Sequence, residues 1–530
     1  MEKQFKEEEL LHAMREVDES DARRKYGDEL LVAAIGAIDK GDSTFRVIHD
    51  GTHAVQVNPR LRTRDQHRSP GSGEIKTVLR LSNRPGSILG LTGDVKRAHR
   101  LPRVREDEWG YQACQLRPGR IWLNEVGTFG VGSIAYHWAR LAGGACRAIL
   151  YLMGTRWLFQ LLYADDFNWS ASGPHLHEDL LLAVFFLRVM GMPLSWKKFK
   201  GGFAYEWVGY WQDFEQRAVG ISEGRARWLA DWCQRTLADG SVHAAEFRSV
   251  LGRFGFALNA LETFKPFLGP MHAWSSASPP QAVLLLPVMI RLVLKYLMNR
   301  LREGSRLAPC GDAPAEATER FRADAKAEGD DVCIGGWEIV DADADTMAAR
   351  WYSERLTRVN APWVFDSGEP FRVIAALELL GTLACVVAFP VEKRPEGIAK
   401  LTLGGTTDNM GNRDAVSKLS TTKFPLSAVL MELAAQLHQR GLAMELQWAP
   451  RLQNWQADAL SNGDFRGFDP TKRVRVDMLN YKWLVLNEMI TEGSKLYKSI
   501  REAKVEKSKR LLHKTFVKGL KSFREREPWK

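Results

Sequence analysis

A chain of 530 residues, 45% hydrophobic and 26% charged, is too long for one core and too apolar for disorder, which predicts three to four folded domains of a soluble type. The formal charge of +10 is uneven: residues 471–530 hold 17 Lys/Arg against 7 Asp/Glu, leaving 57 of each sign in residues 1–470. Six scattered cysteines (114, 146, 233, 310, 333 and 385) without a Cys-X-X-Cys pair argue against structural zinc and a disulfide framework, and for a reducing, intracellular setting in cytoplasm or nucleus.

Residues 1–27 read as a charged helical lead-in, too polar for a signal peptide and without identifiable chemistry. Phe45-Arg46-Val47-Ile48-His49-Asp50 follows, and basic clusters at Arg60–Arg64 and Arg97–Arg103 are candidates to line a nucleic-acid groove. Leu91-Thr92-Gly93-Asp94 ends an apolar segment on a lone aspartate. Gly127–Ser133 is a glycine-rich turn leading into the helical pattern Ile134–Trp138. Two apolar runs, Trp157–Leu162 and Phe167–Trp169, then flank Tyr163-Ala164-Asp165-Asp166, which predicts strand, tight turn, strand with two carboxylates at the tip. An exposed Asp-Asp turn is usually inert. Wedged between apolar strands, the two charges repel unless a cation lies between them, so the pair is a candidate magnesium site. The third carboxylate, Asp94, supplies what two divalent ions about 3.5–4 Å apart require as bridging ligands. Gly191–Lys198 and Trp207-Val208-Gly209-Tyr210 complete this half.

From Ser222 the pattern turns helical through Trp228, Trp232, Phe247, Leu251 and Phe254, an aromatic spacing that favours core over base stacking. Ala282–Ile290 reads as the longest apolar stretch; it is far below the roughly 20 residues of a membrane span and predicts a buried helix. Residues 302–318 read as a linker. Asp324 lies on a strand before a Gly335-Gly336-Trp337 hairpin, Glu378 is embedded in a helix-periodic apolar run, Asp408 ends a strand, and Asp458 starts a helix. Asp458 alone could be an ordinary helix cap. Glu378, apolar on both sides, is not a typical surface acid. The basic run Lys504–Lys514 reads as a phosphate-attracting element or, equally, as a solvated helix or flexible linker.

The ordered set Asp94, Phe129-Gly130, Tyr163–Asp166, Lys197-Lys198 and Trp207-Val208-Gly209 resembles the palm of reverse transcriptases. The resemblance implies that Asp94 and Asp165 bridge two metals with Asp166 in support, and that Lys198 (or Lys197) lies near the triphosphate. It implies that Phe129 and Gly130 contact template and incoming base, and that Arg46 contacts phosphate. The chain departs from the pattern at His99, where familiar members carry the Tyr or Phe that screens out the ribose 2′-hydroxyl. The second half, closing on Asn454-Trp455-Gln456-Ala457-Asp458-Ala459-Leu460-Ser461, resembles the ribonuclease H-like domain of retroelement polyproteins. That implies a tetrad of Asp324, Glu378, Asp408 and Asp458, with Gln447-Trp448-Ala449-Pro450 where some relatives carry a histidine. The whole looks closest to DIRS-type, tyrosine-recombinase retroelements.

The implied fold is a multidomain α+β chain: a right-hand polymerase followed by an α/β ribonuclease H-like domain. Its parts are fingers 28–93, palm 94–220, a helical thumb or connection 221–301, the linker, the ribonuclease H-like domain 319–468 and a basic tail 469–530. The implied activity is RNA-directed DNA polymerisation with ribonuclease H cleavage, using two Mg²⁺ or Mn²⁺ per site. The implied partners are an RNA template, a DNA primer, their RNA–DNA hybrid and dNTPs, with no membrane. The alternatives are a catalytically silent nucleic-acid-binding scaffold and, less favoured, an RNA-directed RNA polymerase.

Overall fold

The computed structural model describes residues 1–39, 41, 45–81, 87–310, 318–340, 345–366, 368–391 and 401–511. The chain divides into two compact units, Met1–Glu74 with Arg84–Val208, and Ile75–Asn83 with Gly209–Lys530.

The first unit carries a sheet built from β1 (Ile88–Asp94), β2 (Leu158–Tyr163), β3 (Asp166–Ser172) and β4 (Lys200–Gly202), in the order β4-β1-β3-β2. Phe167 and Trp169 of the central β3 are fully buried, as expected of a strand covered on its faces. Helices α1 (Gly132–Met153) and α2 (Leu176–Val189) supply the other side of that core. On α1, Ile134, Trp138, Ala142, Ala145, Ile149 and Met153 recur every three or four residues, which places them on one inward stripe. A second sheet pairs Met14–Asp18 with Arg120–Asn124. The expected lead-in thus contributes an edge strand as well as two helices, Glu2–Leu10 and Glu19–Tyr26. The sequence Met-Arg-Glu-Val-Asp has no period-2 apolar alternation to announce it.

The second unit joins a helical part, including α3 (Glu223–Asp239), α4 (Ala244–Ala260) and α5 (Val288–Arg302), to a five-stranded sheet. Its strands are β5 (Glu319–Glu328), β6 (Asp331–Glu338), β7 (Trp351–Leu356), β8 (Leu401–Thr407) and β9 (Leu442–Trp448), in the order β7-β6-β5-β8-β9. β5–β6 and β6–β7 pair antiparallel, β5–β8 and β8–β9 parallel. Helices α6 (Ile374–Ala388), α7 (Leu426–Arg440) and α8 (Trp455–Ser461) complete it, with α9 (Leu486–Leu511) at its end. Trp232, Phe247 and Phe254 are buried in the core, as their spacing predicts.

Four expectations need correction. Ala282–Ile290 is not one buried helix: Val283–Leu285 is a short strand paired with Ser241–His243, its Leu285 82% exposed, and α5 begins only at Val288. Among the described residues the stretch long and apolar enough to cross a membrane is instead Pro370–Ala388, and 67% of its most apolar 18-residue window is buried, as befits a core helix. Part of the basic tail is core: Leu486, Met489, Ile490, Leu496 and Ile500 of α9 are buried. The fully buried Glu432 of α7 holds the start of α9, accepting the backbone N–H groups of Leu484 at 3.0 Å, Val485 at 2.7 Å and Leu486 at 2.9 Å. These are orphan donors at a helix N-terminus, and a carboxylate there meets both their hydrogen bonds and the helix dipole. In the linker, Leu307–Pro309 pairs with Ala218–Gly220; 311–317, like the 512–514 end of the basic run, lies outside the described residues.

Candidate active sites

Backbone register assembles the first site. Across the antiparallel β1–β3 ladder Asp94 stands opposite Asp166, and across β2–β3 Tyr163 stands opposite Asp166. The turn between β2 and β3 carries Ala164 at φ 52° and is tied down twice: Trp138 Nε1 donates to the Ala164 carbonyl at 2.8 Å, and the Val95 N–H donates to the Asp165 carbonyl at 2.9 Å. Gly93 is needed because a Cβ there would lie 2.8 Å from Trp169. The result is one carboxylate oxygen each from Asp94, Asp165 and Asp166 within 4.8 Å of one another, the group of this kind found among the described residues.

Such a set repels itself, and the protein answers in two ways. Burial, with the charges of Asp165 and Asp94, pushes the Asp166 carboxyl up to about 6. Lys198 donates from Nζ to Asp94 Oδ2 at 2.7 Å. Partial burial alone would lower the Lys198 ammonium, but that bond and the three carboxylates together hold it above the ordinary lysine range. An ammonium thus supplies positive charge where hard oxygen donors suit a divalent ion.

Asp94, Asp165 and Lys198 line one cavity of about 700 Å³ together with Phe129 and Arg46. Phe129 stacks on His99, ring centroids 4.6 Å apart, and the Arg46 guanidinium lies over the same ring at 5.7 Å. Burial holds the His99 imidazole below the usual histidine range, against the pull of Asp165, so it is neutral near pH 7. Gly130, at φ 105°, is obligatory: a Cβ there would sit 1.7 Å from the His49 carbonyl oxygen. In the same unit Arg60, Arg62, Arg64, Arg103 and Arg105 ring a second cavity, of about 870 Å³, over an apolar floor of Val57, Val131 and Ile134. The two basic clusters singled out from sequence therefore meet.

The four acids of the second unit arrive from four separate elements. Asp324 lies mid-way along β5, Glu378 in the first turns of α6, Asp408 just beyond β8, and Asp458 in α8. Gly335 of β6, opposite Asp324 in register, lets α8 pack close, since a Cβ would meet the Ser461 nitrogen at 2.7 Å. Ser461 Oγ then donates to Asp324 Oδ2 at 2.7 Å. Burial, outweighing that bond and aided by the charges of Asp408 and Asp458, raises Asp324 to about 6. Glu378 is carried higher, to about 8, by burial and by Asp408. Asp408 is raised too, by burial. Arg451 donates from Nε to Asp458 at 3.0 Å and opposes the upward shifts of Glu378 and Asp408. Charge interactions thus link all four acids and one arginine, but, unlike the first set, no three of these four described residues offer oxygens within 4.8 Å of one another.

No family model matches the chain, and no curated protein matches its sequence. Similar solved structures are foamy viral protease-reverse transcriptases. One, the dRH form in complex with double-stranded DNA, has a TM-score of 0.46 at 13% identity and covers 83% of this chain and 68% of that one. Another, in complex with an RNA/DNA hybrid, has a TM-score of 0.43 at 13% identity and covers 78% and 50%. A third, with double-stranded DNA, has a TM-score of 0.43 at 14% identity and covers 78% and 77%. The chain thus spans half to about three quarters of those chains' length.

Several supporting residues escape a sequence reading. Asn58 clamps the Phe129–Gly130 turn, donating to the Gly130 carbonyl at 2.7 Å and accepting the Gly132 N–H at 2.8 Å. His49 donates its backbone N–H to the Phe129 carbonyl at 2.8 Å. Neither contact has a local signature, because each spans more than 70 residues. Arg451 stands seven residues before Asp458, a spacing without helical or strand meaning there.

Proposed function

We propose that this chain is an RNA-directed DNA polymerase, a nucleotidyltransferase, with a second, hybrid-cutting ribonuclease H-like site. The observation that carries the reading is the convergence of the buried Asp94 and the half-buried Asp165 and Asp166 with Lys198 as their counter-cation in a cavity that also presents Arg46 and Phe129. The donor set is all-carboxylate and fits Mg²⁺ or Mn²⁺, two per site. When bound, these ions supply the lowered pKa of an attacking hydroxyl and the neutralisation of phosphate charge. On this reading Asp94 and Asp165 would hold the two ions with Asp166 in support, and Lys198 would lie near the triphosphate. Phe129 and Gly130 face template and incoming base, Arg46 faces phosphate, and the neutral His99 guards the ribose. The right-hand fingers, palm and thumb arrangement, the intracellular setting and a DIRS-type retroelement origin belong to the same proposal. The last is suggested by the Arg46–Thr52 and Ala98-His99-Arg100 segments.

In the second unit Asp324, Glu378, Asp408 and Asp458 would hold the metals for cleavage of the RNA strand of a hybrid, with Arg451 and Ser461 positioning Asp458 and Asp324. The silent-scaffold reading draws support there, because Arg451 already neutralises Asp458.

Primer extension on an RNA template in Mg²⁺, comparing dNTPs with rNTPs, tests the proposal. Extension with dNTPs that Asp165→Asn/Asp166→Asn abolishes is the expected result. Extension with rNTPs alone would favour an RNA polymerase, and no extension from a folded sample in Mg²⁺ or Mn²⁺ would favour the scaffold.

A further inference from the structure

Helix α2 is apolar on both faces. Its inner face, Leu180, Ala183, Val184 and Leu187, is buried against the β1–β3 sheet. Its outer face should be polar if water were its partner, since an amphipathic surface helix keeps charge on the side away from the core. Instead Leu181, Phe185 and Val189 recur at i, i+4 and i+8, exposed by 67%, 64% and 67%, and Met190 continues them at 58%. Single exposed apolar residues are ordinary; a straight stripe of large ones is a contact surface lacking its partner.

The charges beside the stripe say which partner fits. Glu178 and Arg188 stand five residues to either side of Ala183, and at 100° per residue both fall within about 40° of the direction midway between Leu181 and Phe185. Glu178 has no hydrogen-bond or ion-pair partner among the described residues. Arg188 makes one bond, from Nη1 to the Met192 carbonyl at 3.1 Å. A second α2 laid antiparallel, with the two-fold axis level with Ala183, would bring Leu181 of each copy onto Phe185 of the other. It would set each Glu178 level with the opposite Arg188. The helix dipoles would oppose, which is favourable. A parallel arrangement would instead set Glu178 beside Glu178 and Arg188 beside Arg188. The surface is thus self-complementary under a two-fold axis, the condition for an isologous contact.

We infer that the outer face of α2 is a homodimer interface, occupied by a second copy of this chain through antiparallel α2–α2 packing. This inference does not depend on the catalytic reading, since none of these residues lines either carboxylate site.

Sedimentation equilibrium of the full chain, up to about 50 µM, where an interface of micromolar strength is saturated, tests it. The wild type is expected to be dimeric and Leu181→Glu/Phe185→Glu monomeric, with an unchanged far-ultraviolet circular dichroism spectrum at about 25 °C and a melting temperature that no longer depends on protein concentration. Glu178→Arg, on an exposed side chain, is expected to weaken the dimer about tenfold through like-charge juxtaposition. Glu178→Arg/Arg188→Glu, which restores opposite signs, is expected to recover it. A wild type that remains monomeric, a dimer indifferent to Leu181→Glu/Phe185→Glu, or a charge swap that fails to rescue Glu178→Arg would overturn the proposal.

Discussion

The two sets of acids are assembled by different structural means, and to different closeness. In the first unit, a three-strand register and one tied turn bring Asp94, Asp165 and Asp166 within 4.8 Å, and Lys198 offsets the accumulated charge. In the second, four acids come from a strand, a helix, a strand end and another helix. There the repulsion is relieved chiefly by protons: Glu378 is raised to about 8 and Asp324 to about 6, with Arg451 neutralising Asp458. A site made by register is set once the β2–β3 hairpin forms and β1 pairs beside it, whereas a site made by packing depends on every element that carries a ligand. The first should therefore tolerate changes in core packing better, and the second should respond more to pH.

The largest expected effect separates the sites outright. Asp324→Asn should lower hybrid cleavage by about a thousandfold, the scale of several kcal/mol of lost charge stabilisation, and leave primer extension intact. Asp94→Asn should do the reverse. If either variant silences both reactions, the two clusters are not independent, and the contrast between them fails.

A smaller effect probes the turn beside the first site. In Gly130→Ala the new Cβ would fall 1.7 Å from the His49 carbonyl oxygen, so Phe129 has to move. A displacement near 1 Å at a positioning group costs up to about a hundredfold in rate. Extension should fall by that order while hybrid cleavage is unchanged; steady-state rates on both substrates decide it.

The mildest is the pH dependence of stability without metal. Glu378 and Asp324 hold protons in the folded chain at pH values where the unfolded chain has released them. Between about pH 4.5 and 8 these two groups bind more protons in the folded state, and their contribution to stability falls as pH rises; below about pH 6.5 the buried His49 and His99 act the other way. Asp166, raised to about 6, contributes only to the lower part of that window, so the slope above about pH 6.5 belongs mainly to Glu378. Thermal melts of the wild type and Glu378→Gln should diverge there, the variant being flatter; parallel curves would contradict the buried, protonated Glu378.

Much of the first site was legible because its signals are local. Two apolar runs around Tyr163–Asp166 suffice for a hairpin, and an embedded Asp94 suffices for a strand end. Their pairing, Asp94 against Asp166, is a fact of register between segments more than 70 residues apart and has no mark in either. In the second unit each acid had its own local context, yet what joins them did not. Gly335 reads as a turn residue, and its role in admitting α8 appears only once β6 and α8 meet. In the tail the net charge and the packing are separate properties: Met489, Ile490, Leu496 and Ile500 have the helical spacing of a buried face within a strongly basic segment. Glu432, one acid on an apolar helix, gave no sign of the three backbone donors it would accept.

The most direct test of the metal centre is Mn²⁺ binding to the full chain by electron paramagnetic resonance, comparing the wild type with Asp94→Asn/Asp165→Asn near pH 7.5. If Asp94, Asp165 and Asp166 form the polymerase metal site, the wild type binds Mn²⁺ and the variant loses that class of sites while keeping those of the second unit. Identical titrations for the two proteins would contradict the account.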